Sequence, residues 1–162
     1  MRMTTLLRTS AAVAATAVAG AVATDPDSLW YRTLRKPDWQ PPGPAFPAVW
    51  TPLYADIAVT SAVALDRLEA AGRHGERAAY RRALAVNLAL NAGWSWLFWR
   101  SRRPWLAAAE CAVLAVSSAD LVRRTSRASR GAGLALAPYA AWCAFATALS
   151  TTIAVKNRRS LW

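Results

Sequence analysis

Five apolar runs, separated by basic clusters, constrain the fold of this chain more than any other feature. They extend from Thr9 to Thr24, Phe46 to Leu65, Ala83 to Trp99, Pro104 to Val122 and Gly131 to Val155. A helix crosses the hydrocarbon of a bilayer with roughly 20 apolar residues at about 1.5 Å rise each. In lipid every backbone N–H and C=O must be bonded internally, so only helices and closed barrels cross. None of these runs has the apolar/polar alternation of a barrel strand. The pattern predicts an all-α integral membrane bundle of five transmembrane helices with short loops, about 5–24, 46–66, 80–99, 104–123 and 131–156, forming one domain over residues 1–162. A soluble bundle of unusually apolar helices is the alternative.

Net charge is +11, which would suit a nucleic-acid binder if the cations formed a face or a tail. They do not. Arg32, Arg35 and Lys36 form one group, and Arg67, Arg73, Arg77, Arg81 and Arg82 another. Arg100, Arg102 and Arg103 follow, then Arg123, Arg124, Arg127 and Arg130, and finally Lys156, Arg158 and Arg159. Each group falls at a break between apolar runs, where side chains meet lipid headgroups. Membrane lipids are therefore the expected partners of this charge, and nucleic acid is not. Nine Lys and Arg on one side against eleven on the other give the positive-inside rule no bias to act on.

The N-terminus supports two readings. Arg2 and Arg8 before an Ala-rich run that ends in "AVA" resemble a cleavable signal peptide. Ala12, Thr16 and Gly20 instead form the small-residue series that lets membrane helices approach closely, which favours a retained helix. Cys111 and Cys143 lie inside apolar runs as small hydrophobes, and His74 sits in a charged loop. No CxxC, HExxH, P-loop or GxSxG pattern occurs. No catalytic residue, metal site or cofactor is assigned.

Helical spacing sorts the remaining residues. Trp50, Tyr54, Ile57 and Ser61 share a face, with Asp56 opposite and near Thr60. An intramembrane carboxyl marks a functional site unless it bonds a neighbour such as Thr60 or another helix. Asn87, Asn91, Trp94 and Phe98 form a stripe whose amides must find partners in the bundle interior. Ala85, Ala89 and Gly93 form a small-residue stripe on the other side, suited to a helix of the same chain or of a second protomer. Trp105 aligns with Ala108, Ala112 and Val116, and Glu110 is a second intramembrane acid. Pro138, Trp142, Phe145 and Leu149 align in the last run, where the proline can open room between helices. Trp30, Tyr31, Trp96, Trp99 and Trp162 fit interfacial belts. Trp50, Trp94 and Trp142 point instead to an aromatic interior pocket of the type that takes large, flat, mostly apolar molecules.

The connector "WYRTLRKPDWQPPGPAFPAVW" holds three tryptophans and five prolines. Extended to "WYRTLRKPDWQPPGPAFPAVWTPLY", it resembles the WYxxLxKPxWxPPxxxFPxVWTxLY signature of the TspO/MBR family. These tryptophan-rich sensory proteins include the mitochondrial translocator protein, or peripheral benzodiazepine receptor. "NLALNAGWSWLFW" and "APYAAWCAFATAL" are similar to two further segments of that family, and the resemblance covers about Gly20 to Asn157. It implies five transmembrane helices, a retained first helix, and a pocket that binds porphyrins beneath a lid made by the first loop. Carried over by motif, Trp50, Asn91, Trp94, Trp105, Trp142 and Leu149 line that pocket and Trp39, Pro41 and Pro42 belong to the lid. Tyr54, Asn87, Ala108, Pro138 and Phe145 complete the candidate ligand-binding set.

The sequence departs from the family at Pro44, where relatives often have Trp, and at Ile57-Ala58 and Ser150. Thr151 replaces the Tyr of the animal sterol motif, which weakens cholesterol as an implied ligand. The reading that follows is a membrane receptor or sensor for porphyrin-type tetrapyrroles, linked to tetrapyrrole regulation or stress response. A bacterial cell membrane is its expected location, and a homodimer through Ala85, Ala89 and Gly93 its expected assembly. Two alternatives stand beside it: a small secondary transporter coupled through Glu110 or Asp56, and tryptophan-dependent photo-oxidative porphyrin degradation.

Overall fold

The computed structural model describes residues 1–158, so Arg159 of the last basic cluster and Trp162 of the interfacial belt lie outside the described residues. Every regular element described is helical: α1 (Met3–Ala23), α2 (Leu29–Thr33), α3 (Ala45–Ala70), α4 (His74–Ser95), α5 (Pro104–Ala128) and α6 (Arg130–Lys156). A π-helical turn, Trp96–Arg100, continues α4. The five long helices run up and down and close a ring, in which α1 packs on α3, α3 on α6, α6 on α5, α5 on α4, and α4 back on α1.

Four of them, α1, α3, α5 and α6, are long and apolar enough to cross a membrane. The expectation of five such spans is met only in part. α4 has the length, but Glu76, Arg77, Arg81 and Arg82 crowd its first half and Asn87 and Asn91 its middle.

Local chemistry sets the connections. Gly72 takes φ 67°, a left-handed conformation natural to glycine, and ends α3 in a Schellman turn. Its N–H donates to the Glu69 carbonyl at 3.0 Å, and the Arg73 N–H donates to the Leu68 carbonyl at 2.9 Å. Pro104 opens α5, where a missing N–H costs nothing. Ser129 alone separates α5 from α6, and its hydroxyl accepts from the Ala132 N–H. At this end of the bundle Glu69 of α3 binds Arg2 of the N-terminus at 2.8 Å and Arg77 of α4 at 2.7 Å, tying three elements together.

Buried faces separate expectation from outcome. α3 and α4 bury the predicted stripes through Ile57, Ser61, Asn87, Asn91 and Phe98. On α1 the inward face is Thr5, Thr9, Val13, Thr16 and Gly20, while Ala12 is exposed. α5 turns Ala107, Cys111, Leu114, Ser118, Leu121 and Thr125 inward, and α6 turns Leu136, Tyr139, Cys143 and Ser150 inward. The aligned residues Ala112, Val116 and Pro138 are therefore exposed.

Candidate functional site

Helical spacing builds the aromatic interior. Residues three or four apart share a face, and three such pairs stack: Trp50 on Tyr54 at 5.2 Å, Trp94 on Phe98 at 5.2 Å, and Trp142 on Phe145 at 5.1 Å. Between them lies a cavity of about 60 Å³, walled by Phe46, Trp50, Asn91, Trp94, Cys111, Leu114, Trp142, Cys143, Phe145, Ala146, Leu149 and Ser150. Small-molecule pockets ordinarily measure about 300–1,000 Å³. The rings thus fill most of the space a flat ligand would occupy, and binding one requires them to part.

Beneath the cavity a directed chain of hydrogen bonds joins four helices. The Tyr54 hydroxyl donates to Asn91 Oδ1 at 2.8 Å, Asn91 Nδ2 to the Tyr139 hydroxyl at 3.3 Å, and Tyr139 to Asn87 Oδ1 at 2.8 Å. Asn87 Nδ2 then donates to the Ser118 hydroxyl at 3.0 Å, which donates to the Leu114 carbonyl at 2.8 Å. Tyr139 is fully buried and both accepts and donates, so it is the hub.

Above the cavity the first loop packs against the bundle. Trp39 meets Phe145 edge to face at 5.8 Å. Trp30 contacts Phe98 at 5.4 Å and Tyr31 contacts Trp99 at 4.5 Å, so these belt residues also hold the loop to the bundle. The amide of Asn157, at the end of α6, clasps the backbone of Arg35: Oδ1 accepts from its N–H and Nδ2 donates to its carbonyl, both at 2.9 Å. Lys36 Nζ donates to the Tyr31 carbonyl at 2.6 Å and lies 4.2 Å from the Tyr31 ring centre. Partial burial lowers the pKa of this ammonium from the usual lysine value.

Of the predicted site residues, Trp50, Asn91, Trp94, Trp142, Phe145 and Leu149 meet at the cavity. Tyr54 and Asn87 belong to the hydrogen-bond chain beneath it, and Trp39, Pro41 and Pro42 to the loop above. Ala108 is buried outside the cavity wall, and Pro138 faces outward. Trp105, 46% exposed, lies on the outer surface of α5. Asp56 does not bond Thr60 through its carboxylate; the Thr60 hydroxyl donates to the Asp56 backbone carbonyl at 2.6 Å. Both carboxylate oxygens of Glu110 are buried without a hydrogen-bond partner among the described residues. Sequence reasoning missed the wall residues Phe46, Cys111, Leu114, Cys143, Ala146 and Ser150, the hub Tyr139 and the clasp Asn157. Only Phe46 and Tyr139 carried a signal, as aromatics inside the motifs already singled out.

A ring of apolar helices around an aromatic cavity, capped by a Trp- and Pro-rich loop, defines a helical membrane protein. The TspO/MBR family model matches residues 9–156, and the chain belongs to that family. It is 33% identical over 133 residues to the tryptophan-rich protein TspO of Chlorobaculum tepidum, covering 82% of each chain. With the tryptophan-rich sensory protein of Cereibacter sphaeroides it shares 34% identity over 140 residues, 86% of this chain and 83% of the relative. The human translocator protein is 31% identical over 122 residues, 75% of this chain and 70% of the relative.

Proposed function

We propose that this protein is a five-span membrane receptor or sensor that binds porphyrin-type tetrapyrroles, or flat apolar molecules like them, in the cavity between its helices. The observation that carries this reading is the convergence of Trp50, Trp94 and Trp142, from three helices, on one cavity beneath an aromatic lid. Flat aromatic ligands gain dispersion and stacking energy against such faces. α4 with its π-turn serves as the fifth span: its amides bond inward, Arg77, Arg81 and Arg82 lie in the half that leaves the hydrocarbon, and Arg100 ends the span at the other side. The location is a bacterial cell membrane. Ala85 and Ala89 are exposed beside half-buried Gly93, a face suited to a second protomer.

The test is to titrate the purified chain in detergent with protoporphyrin and follow tryptophan quenching. Saturable binding that weakens at least about tenfold in Trp50→Ala plus Trp142→Ala is expected. Binding unaffected by that pair would put the ligand elsewhere.

The orphan carboxylate oxygens of Glu110, and Oδ2 of Asp56, favour one second reading: proton-coupled transport of similar compounds. Proteoliposome flux that persists in Glu110→Gln plus Asp56→Asn would remove it. Tryptophan-dependent photo-oxidation of a bound porphyrin would show as loss of tetrapyrrole absorbance under light and oxygen.

A further inference from the structure

A second cavity lies where the N-terminal residues cross the last turns of α3. Its volume is about 610 Å³, against about 60 Å³ between the tryptophans. That is within the range of about 300–1,000 Å³ usual for a small-molecule site. Met1, Val63 and Ala70 give this cleft apolar walls, and Arg2, Asp66, Arg67 and Glu69 its polar ones. None of these residues lines the aromatic cavity.

The charged groups in the cleft are not equivalent. Asp66 accepts from the Arg2 backbone N–H, from Arg2 Nε at 3.3 Å and from the Thr5 hydroxyl at 2.7 Å. Glu69 is held by Arg2 at 2.8 Å and by Arg77 at 2.7 Å. Both carboxylates are therefore already matched by cations. Arg67 is exposed, and its guanidinium has no partner among the described residues. The charge left over is positive, and a guanidinium presents a planar fork of donors that suits phosphate oxygens.

Placement along α3 names the source of the phosphate. Arg67 follows the apolar run of that helix, so it stands where the chain leaves the hydrocarbon. Val63 and Val59 precede it at intervals of four, on the same side of the helix. Val59 is 44% exposed, so an apolar strip leads from the cleft toward the lipid. A soluble anion would use the arginine and leave the strip bare.

We propose that this cleft binds a phospholipid, with its phosphodiester on Arg67 and an acyl chain along Val63 and Val59. The headgroup is an uncharged alcohol, as in a phosphatidylglycerol. An ammonium headgroup would gain little from carboxylates already paired and would be repelled by Arg2, Arg67 and Arg77. The site is independent of the aromatic cavity and of what binds there.

The experiment titrates the full chain in a neutral detergent with dioctanoyl phosphatidylglycerol and follows the heat of binding. Saturable binding is expected, weakened about tenfold in Arg67→Gln, a variant that should melt with the wild type because the side chain it changes is exposed and unpaired. Dioctanoyl phosphatidylcholine should bind at least about tenfold more weakly, and so should glycerophosphoglycerol, the same headgroup without chains. Arg81→Gln, the like change at an exposed arginine of α4, should stay within about twofold. Equal losses in the two variants would overturn the cleft in favour of diffuse charge attraction. Equal binding of lipid and bare headgroup would make this a site for soluble phosphodiesters and overturn the lipid. Equal binding of the two lipids would overturn the choice of headgroup, and absence of saturable binding would overturn the site.

Discussion

Trp39 of the first loop and Phe145 of α6 meet edge to face with ring centroids 5.8 Å apart. Phe145 stacks in turn on Trp142, and both rings wall the cavity, so the first loop rests directly on that wall. A ligand that parts the stacked rings must displace Phe145, and with it Trp39. Trp39 is 50% exposed and contributes little to the core. Trp39→Ala should therefore speed ligand release, by up to about tenfold on the worth of one aromatic pair, while lowering the melting temperature by only a few degrees. Stopped-flow recovery of tryptophan fluorescence measures the release rate. An unchanged rate would mean that ligand leaves by a route that does not pass Trp39.

The clasp between Asn157 and Arg35 anchors the same loop from its other flank. Asn157 is 2% exposed, and its amide satisfies both backbone groups of Arg35. Asn157→Ala leaves that donor and acceptor without their partners, a local cost of about 1–3 kcal/mol. Amide hydrogen exchange over residues 29–44 should accelerate at least about tenfold, while exchange around Tyr80 and Leu121 in the core stays unchanged. Asn157→Asp keeps the acceptor but sets a buried carboxylate oxygen against the Arg35 and Ile153 carbonyls, and should accelerate exchange at least as much as Asn157→Ala. Uniform acceleration throughout the bundle would instead make Asn157 a general stability residue.

The unequal legibility of the helices in the sequence has a physical origin. α3 and α4 disclosed their inner faces because Tyr54, Asn87 and Asn91 are polar, and polar groups in hydrocarbon have only one sensible direction. α6 is apolar almost all round, and the first half of α5 carries one acid, Glu110, among apolar residues, so period alone does not separate the core side from the lipid side. Trp105 and Pro138 drew attention by residue type, yet the smaller Cys111, Cys143 and Ser150 form the wall. Asn157 was invisible for another reason: its partner lies 122 residues earlier in the chain. Motif resemblance singled out the first loop but not what fastens it.

Tyr139 offers a test of the hydrogen-bond chain. Tyr139→Phe keeps the ring and its contact with Trp50 but leaves Asn87 Oδ1 and Asn91 Nδ2 without their partner. Interhelical hydrogen bonds in membranes average about 0.6 kcal/mol and reach about 1.7, so losing two predicts roughly 1–3 kcal/mol. Tyr54→Phe removes only the first link, from Asn91 Oδ1, and should cost about half as much. Unfolding in mixed micelles of increasing SDS content gives both values. Equal losses would mean that Tyr139 is no hub.

Two glycines at the start of α6 should respond to the same substitution with opposite signs. A Cβ on Gly133 would lie 2.7 Å from both Cα and Cβ of Ser126 on α5, well inside van der Waals contact. Cα is backbone and cannot rotate away, and Ser129 is the single residue joining the two helices, so the hairpin has little slack. Gly133→Ala gains about 1 kcal/mol of helix propensity but overpacks the contact by about 1–3 kcal/mol or more, for a net loss. Gly131, two residues earlier, has open space around its Cα, so Gly131→Ala should keep the propensity gain and raise stability by up to about 1 kcal/mol. Thermal melts of the two variants beside wild type in one detergent decide the point. A Gly133→Ala protein as stable as Gly131→Ala would show that α5 and α6 are farther apart at this level than the Ser126 contact requires.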